Sequence, residues 1–560
     1  MPATIQASLA ARLDRLGPAK EVAQIGAVIG RTFTHKLIAA VSDKGSEALE
    51  EALRRLVKAE LLFQRGVSPE ALYTFKHALI QDAAYDSLLK IKRSTIHLRV
   101  AETLVQNSGD ISGAAPELIA HHYSEAGHAE QAVEHWLDAG QRSIRRSTHL
   151  EAIAHLRSGL SQLMTLPETA DRGHKELTYQ INLGAAYFVA KGYASPEAGQ
   201  AYQRACELRR FEDNVTLVSA AFWGLWLFHL VAANHRAAMD AAKEVLKLAP
   251  GVEDAESWIS ANASIAISRL HIEGPASARP HLEIVTSLYD AEKHHLLFAD
   301  RHAFDFGPIS CNYSAWTLWL LGYPDQAHET NERAWEIIKS LSHPYTIARS
   351  YHWSAVVPMM RGEWQRVRER SEASVNASNE LGFPLVGAAA RILFGTATAL
   401  EGNIESGLEH IRDGIDTYRT TGARFQLSLW STFLAQALLA SGRAEDGLEA
   451  LASAQELVEK SEEHVNEAEI ARVKGQLLRA LSGDFDAEAE EAYGLSLAVA
   501  RKQQAKSLEL RAATSLASLW RDQGKREEAR DLLNSIYSWF TEGFDTADLK
   551  EAKALLDELS

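Results

Sequence analysis

The sequence predicts a mainly α-helical protein, in which a solenoid of stacked helical hairpins follows a small N-terminal α+β module. Three observations support this fold class. Glycine and proline, at 34 and 14 of 560 residues, fall below their usual combined share of about 12%, which favours helix. Glycines that follow apolar helical segments recur every 40 or 41 residues over the last 240 residues. Charge is uneven along the chain, which indicates two parts of different kind.

The N-terminal part has the element pattern of a winged-helix module. Apolar residues at helical spacing predict three short helices within residues 9–41 and a fourth from Ala48 to Ala59. Apolar segments at 61–63 and 72–75 flank a turn rich in glycine, serine and proline, which predicts a β-hairpin, the wing. Helices are predicted again from His77 to about Gln106.

Composition and charge place a boundary after this module. Residues 1–100 carry 15 basic and 10 acidic side chains, a net charge of +5. The whole chain has a net charge of −16, so the remaining residues carry −21. The segment 107–115 is the most Gly/Ser-rich stretch of the chain, and Pro116 follows it at a plausible first position of a helix. We therefore predict a winged-helix-like module at 1–108 and a repeat domain at 109–560.

The regularly spaced glycines predict helical hairpins. Each glycine would end a first helix in a left-handed turn, and a small residue five positions later, such as Ala327 or Ala529, would let the second helix approach closely. The pattern resembles the tetratricopeptide repeat, which is also legible in Gly127, Ala132 and Trp136, although the period exceeds the usual ~34 residues. We predict roughly nine to eleven hairpins stacked into a superhelix. The six glycines are Gly322, Gly362, Gly402, Gly442, Gly483 and Gly524.

The segment after the predicted hairpin resembles a known family. Phe75, His77, Tyr85, Arg93 and His97 match the segment that follows the nucleotide-binding domain in bacterial signal-transduction ATPases with helical-repeat tails. The part of those proteins just before this segment is similar to the opening stretch LAARLDRLGPAKEVAQIGAVIGRTF. The C-terminus of the subgroup fused to class III adenylate/guanylate cyclases resembles the ending LWRDQGKREEARDLLNSIYSWFTEGFDTADLKEAKALLDEL.

The resemblance implies a regulatory region rather than a catalytic one. Members of the family place a cyclase domain and then an ATPase domain before this region, and we find neither sequence here. The repeats would then bind a protein or a small effector. The module at 1–108 would contact a nucleotide-switch domain, on the same or on another polypeptide.

Searches for catalytic motifs indicate that the chain is not an enzyme and carries no cofactor or metal. The stretch Gly26–Thr32 is one residue too short for a phosphate-binding loop and has arginine in place of its lysine, so Gly30 is better explained as a helix cap. Ser87 and Lys90 match a serine-hydrolase spacing by chance within an amphipathic helix. Paired histidines at 121–122 and 294–295 lack metal-ligand spacing. We expect His77 and His97 to hold the wing to its neighbouring helix by hydrogen bonds.

Aromatic and polar residues of the middle repeats are candidates for an interaction surface. Tryptophans in this region have two interpretations, repeat core or the lining of a groove. The polar stretch from Asp300 to Gly307 is either a solvated loop or a ligand-sensing loop at the concave face. The candidates are Trp223, Trp226, Arg301, His302, Asp305, Trp316, Trp319 and Trp353.

Three functions compete at this stage. The first is a non-catalytic sensor and protein-interaction region located in the cytoplasm, as suggested by two lone cysteines, no signal peptide and no apolar run long enough for a membrane span. The second is a winged-helix DNA-binding regulator, for which Arg54, Arg55 and Lys58 are the best candidates, although a charge of +5 is modest. The third is an enzyme, against which the missing motifs argue. We expect no specific nucleic-acid binding and no membrane association.

Overall fold

The computed structural model describes the chain from Leu9 to Ser560, except for residues 10, 107–114, 147, 250–253, 303 and 482–483. The described part contains 29 α-helices, two short 3-10 helices and one three-stranded sheet, and it divides into two compact units, residues 1–186 and 187–560. The predicted fold class is confirmed: the chain is mainly α-helical, with a solenoid of tetratricopeptide type. Among the described residues no helix is long and apolar enough to cross a membrane.

The first unit begins with helices around a small antiparallel sheet. The elements run in the order α1–β1–α2–α3–β2–β3, and β3 lies between the other two strands. Strand β1 was not expected from the sequence, because three residues are too few to show an alternating pattern; it forms by pairing with β3, with Phe33 opposite Tyr73. The bounds are α1 Pro18–Ile29, β1 Thr32–Thr34, α2 His35–Val41, α3 Ser46–Lys58, β2 Leu62–Arg65 and β3 Leu72–Phe75.

Helices complete the first unit. Helices occupy the stretch from His77 to about Gln106 as predicted, and they are two, because the chain turns at Ser87, whose hydroxyl donates to the carbonyl of Ala84 at 2.7 Å. Leucine, isoleucine, valine and phenylalanine side chains from the sheet and the helices as far as Ala132 form one hydrophobic core. The bounds are α4 Ala78–Asp86, α5 Lys90–Gln106, α6 Pro116–Ala126, α7 Ala129–Arg145, α8 His149–Leu163 and α9 Ala170–Lys191, the last of which ends within the second unit.

The second unit consists of helical hairpins in which consecutive helices pack against each other. The hairpins are α11/α12, α13/α14, α16/α17, α19/α20, α21/α22, α23/α24, α25/α26 and α27/α28. The bounds are α10 Pro196–Glu207, α11 Val215–Val231, α12 His235–Leu248, α13 Ala255–Ile272, α14 Pro275–Leu288, α15 Ala291–His302, α16 Gly307–Leu320, α17 Pro324–Ser340, α18 Pro344–Ser354, α19 Val356–Arg361, α20 Trp364–Leu381, α21 Pro384–Leu400, α22 Ile404–Thr420, α23 Leu427–Ala440, α24 Ala444–Ser461, α25 Glu467–Ala480, α26 Asp486–Lys502, α27 Lys506–Asp522, α28 Arg526–Tyr537 and α29 Ala547–Leu559.

The repeat glycines lie at the turns between the two helices of a hairpin. Their φ angles lie in the left-handed region, where a side chain would be strained: Gly127 79°, Gly322 92°, Gly362 74°, Gly402 106°, Gly442 74° and Gly524 81°. Gly483 lies outside the described residues. The small residues that follow, Ala132, Ala327 and Ala529, are completely buried, so the two helices of these hairpins meet closely at these positions.

Hairpins far apart in the sequence also contact each other within the second unit. The hydroxyl of Ser507 donates to the carbonyl of Trp319 at 2.5 Å, across 188 residues. Arg236 donates two hydrogen bonds to the carboxylate of Glu462, across 226 residues, at 2.9 and 2.6 Å. These contacts bring the later hairpins back onto earlier ones, which encloses space between the helices.

Candidate functional site

Most of the predicted aromatic surface is core. Trp223, Trp226 and Trp353 are only 4–5% exposed. The indole nitrogen of Trp226 donates to the hydroxyl of Ser268 at 3.0 Å, and the ring of Trp353 lies 4.4 Å from that of Tyr313. Of the two interpretations that the sequence left open, the structure therefore favours repeat core for these three residues.

Residues 304–306, just before α16, are buried and do not form a solvated loop. Asp305 is fully buried, and its carboxylate accepts hydrogen bonds from the hydroxyl of Tyr289 at 2.5 Å, from Nδ1 of His295 at 3.1 Å and from the amide of Gly307 at 2.8 Å. The interpretation as a solvated loop is thus wrong for Asp305, because three donors take the carboxylate out of water. Arg301 and His302 belong to the end of α15, and their side chains lie outside the described residues.

In the first unit, the residues that carried the family resemblance join helices α4, α5 and α6. His97 is buried; its Nε2 lies 3.0 Å from the hydroxyl of Tyr85, and its Nδ1 shares a 2.8 Å hydrogen bond with Nδ1 of His122. The guanidinium of Arg93 stacks 4.2 Å from the ring centre of Tyr85. Burial, and then the charges of His121 and Arg93, lower the pKa of His97 to about 4. Burial, and then its histidine neighbours, lower the pKa of His122 to about 3, so both rings are neutral at physiological pH.

The expected attachment of the wing by histidines is wrong. His77 is exposed and, within the described part of the chain, its side chain makes no hydrogen bond at the start of α4. His97 contacts helices instead of the wing. Phe75 is buried in the core at the end of β3, 6.0 Å from the ring of Phe33.

The residues suspected of catalysis have structural roles. Gly30 ends α1, and Phe33 packs so closely on Gly26 that a methyl group there would lie 2.6 Å from its ring. Ser87 caps α4 and accepts a hydrogen bond from Gln24 at 2.8 Å. Both cysteines are buried, and burial raises the pKa of each thiol to about 12, so neither is a thiolate near pH 7. No group of three potential metal ligands occurs among the described residues.

A cavity of about 370 Å³ lies inside the second unit and is the strongest candidate for a binding site. First helices of six consecutive hairpins, α16, α19, α21, α23, α25 and α27, supply most of its wall, together with α20 and α29. Its volume falls within the range of small-molecule sites, roughly 300–1,000 Å³. The apolar side of the wall consists of Trp316, Trp319, Leu320, Met359, Met360, Trp364, Leu400, Leu429, Phe433, Leu439, Val465 and Leu508.

The wall of the cavity also carries a network of charges. Arg472 donates two hydrogen bonds to the carboxylate of Glu469, at 2.9 and 2.7 Å. Arg511 donates to Asp548 at 2.9 Å and to Glu469 at 3.4 Å, and its guanidinium lies 4.8 Å from the ring centre of Trp319. Burial alone would raise the pKa of Glu469, but the two guanidiniums outweigh burial and lower it to about 2.

Trp316 and Trp319, which the sequence suggests for an interaction surface, line the cavity, whereas the charged network was not expected from the sequence. Glu469, Arg472, Arg511 and Asp548 stand on three helices, and charged residues at these positions look like ordinary solvated helix faces in the sequence. Packing between α25, α27 and α29 brings the four residues together. The return of later hairpins onto earlier ones then places them at the apolar wall, as when Arg511 reaches the carbonyl of Met360 at 2.6 Å, 151 residues away.

Comparisons with known proteins find matches at low identity. No protein-family model matches it. An uncharacterized protein of Rhizobium meliloti (strain 1021), R02095, is 25% identical over 514 residues, which cover 91% of this chain and 50% of that protein. The chain thus spans about half the length of this curated relative.

Two solved structures also match the chain at low identity. A signal transduction ATPase with numerous domains (STAND) from Pyrococcus horikoshii, PH0952, with a tetratricopeptide repeat sensor, is 14% identical; the match covers 82% of this chain and 65% of that one, with a TM-score of 0.41. A Rap protein complexed with competence and sporulation factor is 15% identical, and the match covers 71% of this chain and 99% of that one, with a TM-score of 0.44.

Proposed function

We propose that this chain is the non-catalytic regulatory and protein-interaction region of a bacterial signalling protein linked to a cyclase or an ATPase, and that its repeats bind a small effector. The observation that carries the proposal is the cavity within the second unit. It combines a volume suited to a small molecule with an apolar wall and a few converging polar groups, which is the usual make-up of a ligand site.

The position of the cavity gives effector binding a structural consequence. Its wall joins α16 and α19 to α27 and α29, which are far apart in the sequence and are held by the contacts of Ser507 and Arg511. A ligand that touches both groups of helices binds the closed arrangement better than an opened one, so it would shift the equilibrium towards closure. A partner that recognises one arrangement would then sense the ligand.

The first unit would transmit this state to a nucleotide-switch domain that contacts residues 1–108. Its element order and its sheet, with β3 in the middle, support the winged-helix interpretation of the sequence. The start of α5 offers a contact point, because Leu89 just before the helix and Ile91 within it are 78% and 84% exposed and alternate with the exposed Lys90 and Lys92. Exposed apolar side chains within a basic stretch suit an acidic protein surface with an apolar centre.

Filling the cavity tests the proposal. Ser515 lines the cavity on α27, whereas Ser518 on the same helix does not, so Ser515→Trp should block the site and Ser518→Trp serves as the matched control. Native mass spectrometry of the full chain with a filtered small-molecule extract of bacterial cells should show a one-to-one adduct in the parent and in the control. The adduct should be absent from Ser515→Trp. Equal adducts in both variants, or none in the parent, would contradict effector binding in the cavity.

A second measurement separates this proposal from an ATPase. The stretch Gly26–Thr32 lies at the end of α1 and in β1 and lacks the lysine that would reach the phosphates. Equilibrium dialysis of the full chain with labelled ATP and magnesium should therefore show no stoichiometric binding. A micromolar, one-to-one site for ATP would overturn the non-catalytic assignment.

A further inference from the structure

The charged groups of the cavity differ in how many of their hydrogen-bonding positions are already taken by other residues of the protein. Glu469 already accepts hydrogen bonds from Arg472, from Arg511 and from the amide of Gln436 at 3.1 Å. Its carboxylate has no capacity left for a ligand, since a carboxylate offers about four acceptor positions. Glu469 thus serves to hold the two guanidiniums in place.

The guanidinium of Arg511 is also occupied. Each of its three nitrogen atoms donates a hydrogen bond, to Asp548, to Glu469 and to the carbonyl of Met360. Two of the three nitrogens of Arg472 are engaged by Glu469. An anionic ligand would have to compete with carboxylates that are already in place, so the cavity is poorly suited to one.

Two of the three carboxylates of the cavity have hydrogen-bonding positions left for a ligand, as does Nη1 of Arg472. Asp548 accepts from Arg511 through Oδ2, which leaves Oδ1 for another donor. Glu551 is exposed and forms no ion pair with any basic side chain in the described part of the chain. The described lining contains three carboxylates, two guanidiniums and no lysine, so its formal charge is −1.

The apolar wall has the surface that attracts cations. Trp316, Trp319, Trp364 and Phe433 present aromatic rings, whose faces attract positive charge. One of these faces already binds a cation, because the guanidinium of Arg511 lies 4.8 Å from the centre of Trp319. The remaining rings and the apolar side chains around them leave room for an apolar group beside a positively charged one.

We propose that the cavity binds an organic cation, an ammonium group on an apolar body of about the size of an aromatic ring system. The ammonium group would lie against Asp548 and Glu551, and the apolar body would lie along the indole rings of Trp316 and Trp364. This inference rests on the proposed function, since it names the chemical class of the effector.

Two probes with the same ring and opposite charge test the inference. Tryptamine and indole-3-propionate share an indole body, and isothermal titration of the full chain with each measures their affinities. We expect one-to-one binding of tryptamine, at least tenfold tighter than that of indole-3-propionate, with a Kd below ~1 mM. Tryptamine binding no tighter than that of indole-3-propionate, or no detectable binding of tryptamine, would overturn the inference.

Two charge-neutralising variants locate the site. Glu551→Gln removes a carboxylate from the cavity, and Asp557→Asn removes the same charge from α29 at a position that does not line it. Tryptamine should bind Glu551→Gln at least fivefold more weakly than the parent and Asp557→Asn about equally, whereas equal losses in both variants would contradict the inference. Indole-3-propionate that binds more tightly than tryptamine, and whose binding Ser515→Trp abolishes, would contradict the proposed positive charge of the ligand. It would still support effector binding in the cavity.

Discussion

Single buried polar residues hold distant hairpins together in the second unit. The carboxylate of Glu463 accepts hydrogen bonds from the hydroxyl of Ser428 at 2.9 Å and from the backbone amide of Gln426 at 3.2 Å. It also lies 3.2 Å from Nδ1 of His271 on α13. Burial raises its pKa, but these partners, together with His235, outweigh burial and lower it. A charge enclosed in this way ties the hairpin of α13 to that of α23.

Buried histidines make the protein less stable in acid. Burial, and then the charge of Arg349, lower the pKa of His352 to about 3, whereas an unfolded histidine has a pKa of about 6.5. The unfolded chain therefore binds the extra proton between these values, and stability falls as the pH falls from about 6.5 towards 3. Between pH 7 and pH 5, the free energy of unfolding of His352→Phe should fall by about 2 kcal/mol less than that of the parent, as measured by denaturant titrations.

An exposed histidine provides the control for this pH dependence. His77→Asn replaces a side chain at the surface of the first unit and keeps a residue suited to the start of α4. The parent and this variant should lose equal stability on acidification. A loss in His352→Phe as large as that in the parent would show that His352 is not the group that resists protonation.

At the scale of elements, small residues set how closely the two helices of a hairpin approach. Ala327 and Ala529 are completely buried five positions after Gly322 and Gly524. Gly407 has the same role after Gly402, and a Cβ atom there would lie 2.5 Å from the carbonyl oxygen of Gly395. The small residues of the repeat pattern therefore reflect the close approach of the two helices rather than a contact with a ligand.

Enlarging the buried alanines should separate the helices. Ala327→Leu and Ala529→Leu should each lower the free energy of unfolding by about 1–3 kcal/mol, because three additional carbon atoms have no space. Thermal melting of each variant measures the effect, with Ala554→Leu as the control at an exposed position of α29. If both buried variants melt like the control, the repeat register described above is incorrect.

Two glycines within helices should respond to the same substitution with opposite signs. Gly407→Ala places a methyl group against the backbone of α21 and should destabilise the protein by about 3 kcal/mol. Gly494 on α26 has nothing within 4 Å of the position of a Cβ atom, so Gly494→Ala should stabilise the protein by about 0.5–1 kcal/mol through helix propensity. Denaturant titrations in which both variants shift in the same direction would contradict the close approach of α21 and α22.

At the scale of the whole molecule, the distribution of charge argues against a DNA-binding regulator. Helix α3 would be the recognition helix of a winged-helix module, yet it carries three glutamates beside Arg54, Arg55 and Lys58. Arg54 is paired with one of them, Glu51. The formal net charge of the whole chain is −16, which opposes the approach of a duplex.

The full chain should not bind DNA selectively. Titrations with random and genomic duplexes at ~150 mM salt should show at most weak binding that disappears as salt rises, because phosphate contacts alone are screened. Comparing Arg55→Glu with the parent should show no change in any sequence preference. Sequence-selective, sub-micromolar binding by the parent would favour the transcription-factor alternative over the sensor.

The sequence by itself determined the fold class, the turns between helices and the small buried residues, because these features depend on neighbours in the chain. Gly322 and Ala327 are five residues apart, and their spacing repeats, so a single sequence reveals them. The short strand β1 was missed, since it depends on three residues whose partners are distant, such as Tyr73.

Tertiary structure alone decided the candidate site. Trp319, Arg511 and Asp548 meet in one cavity because later hairpins return onto earlier ones, and no local pattern encodes that return. Packing against Tyr313 of α16 buries Trp353, which its sequence context could not distinguish from a groove-lining residue. Helical periodicity tells which residues share a face of one helix, whereas a binding site requires the faces of several helices to meet, and the angles between successive hairpins determine whether they do.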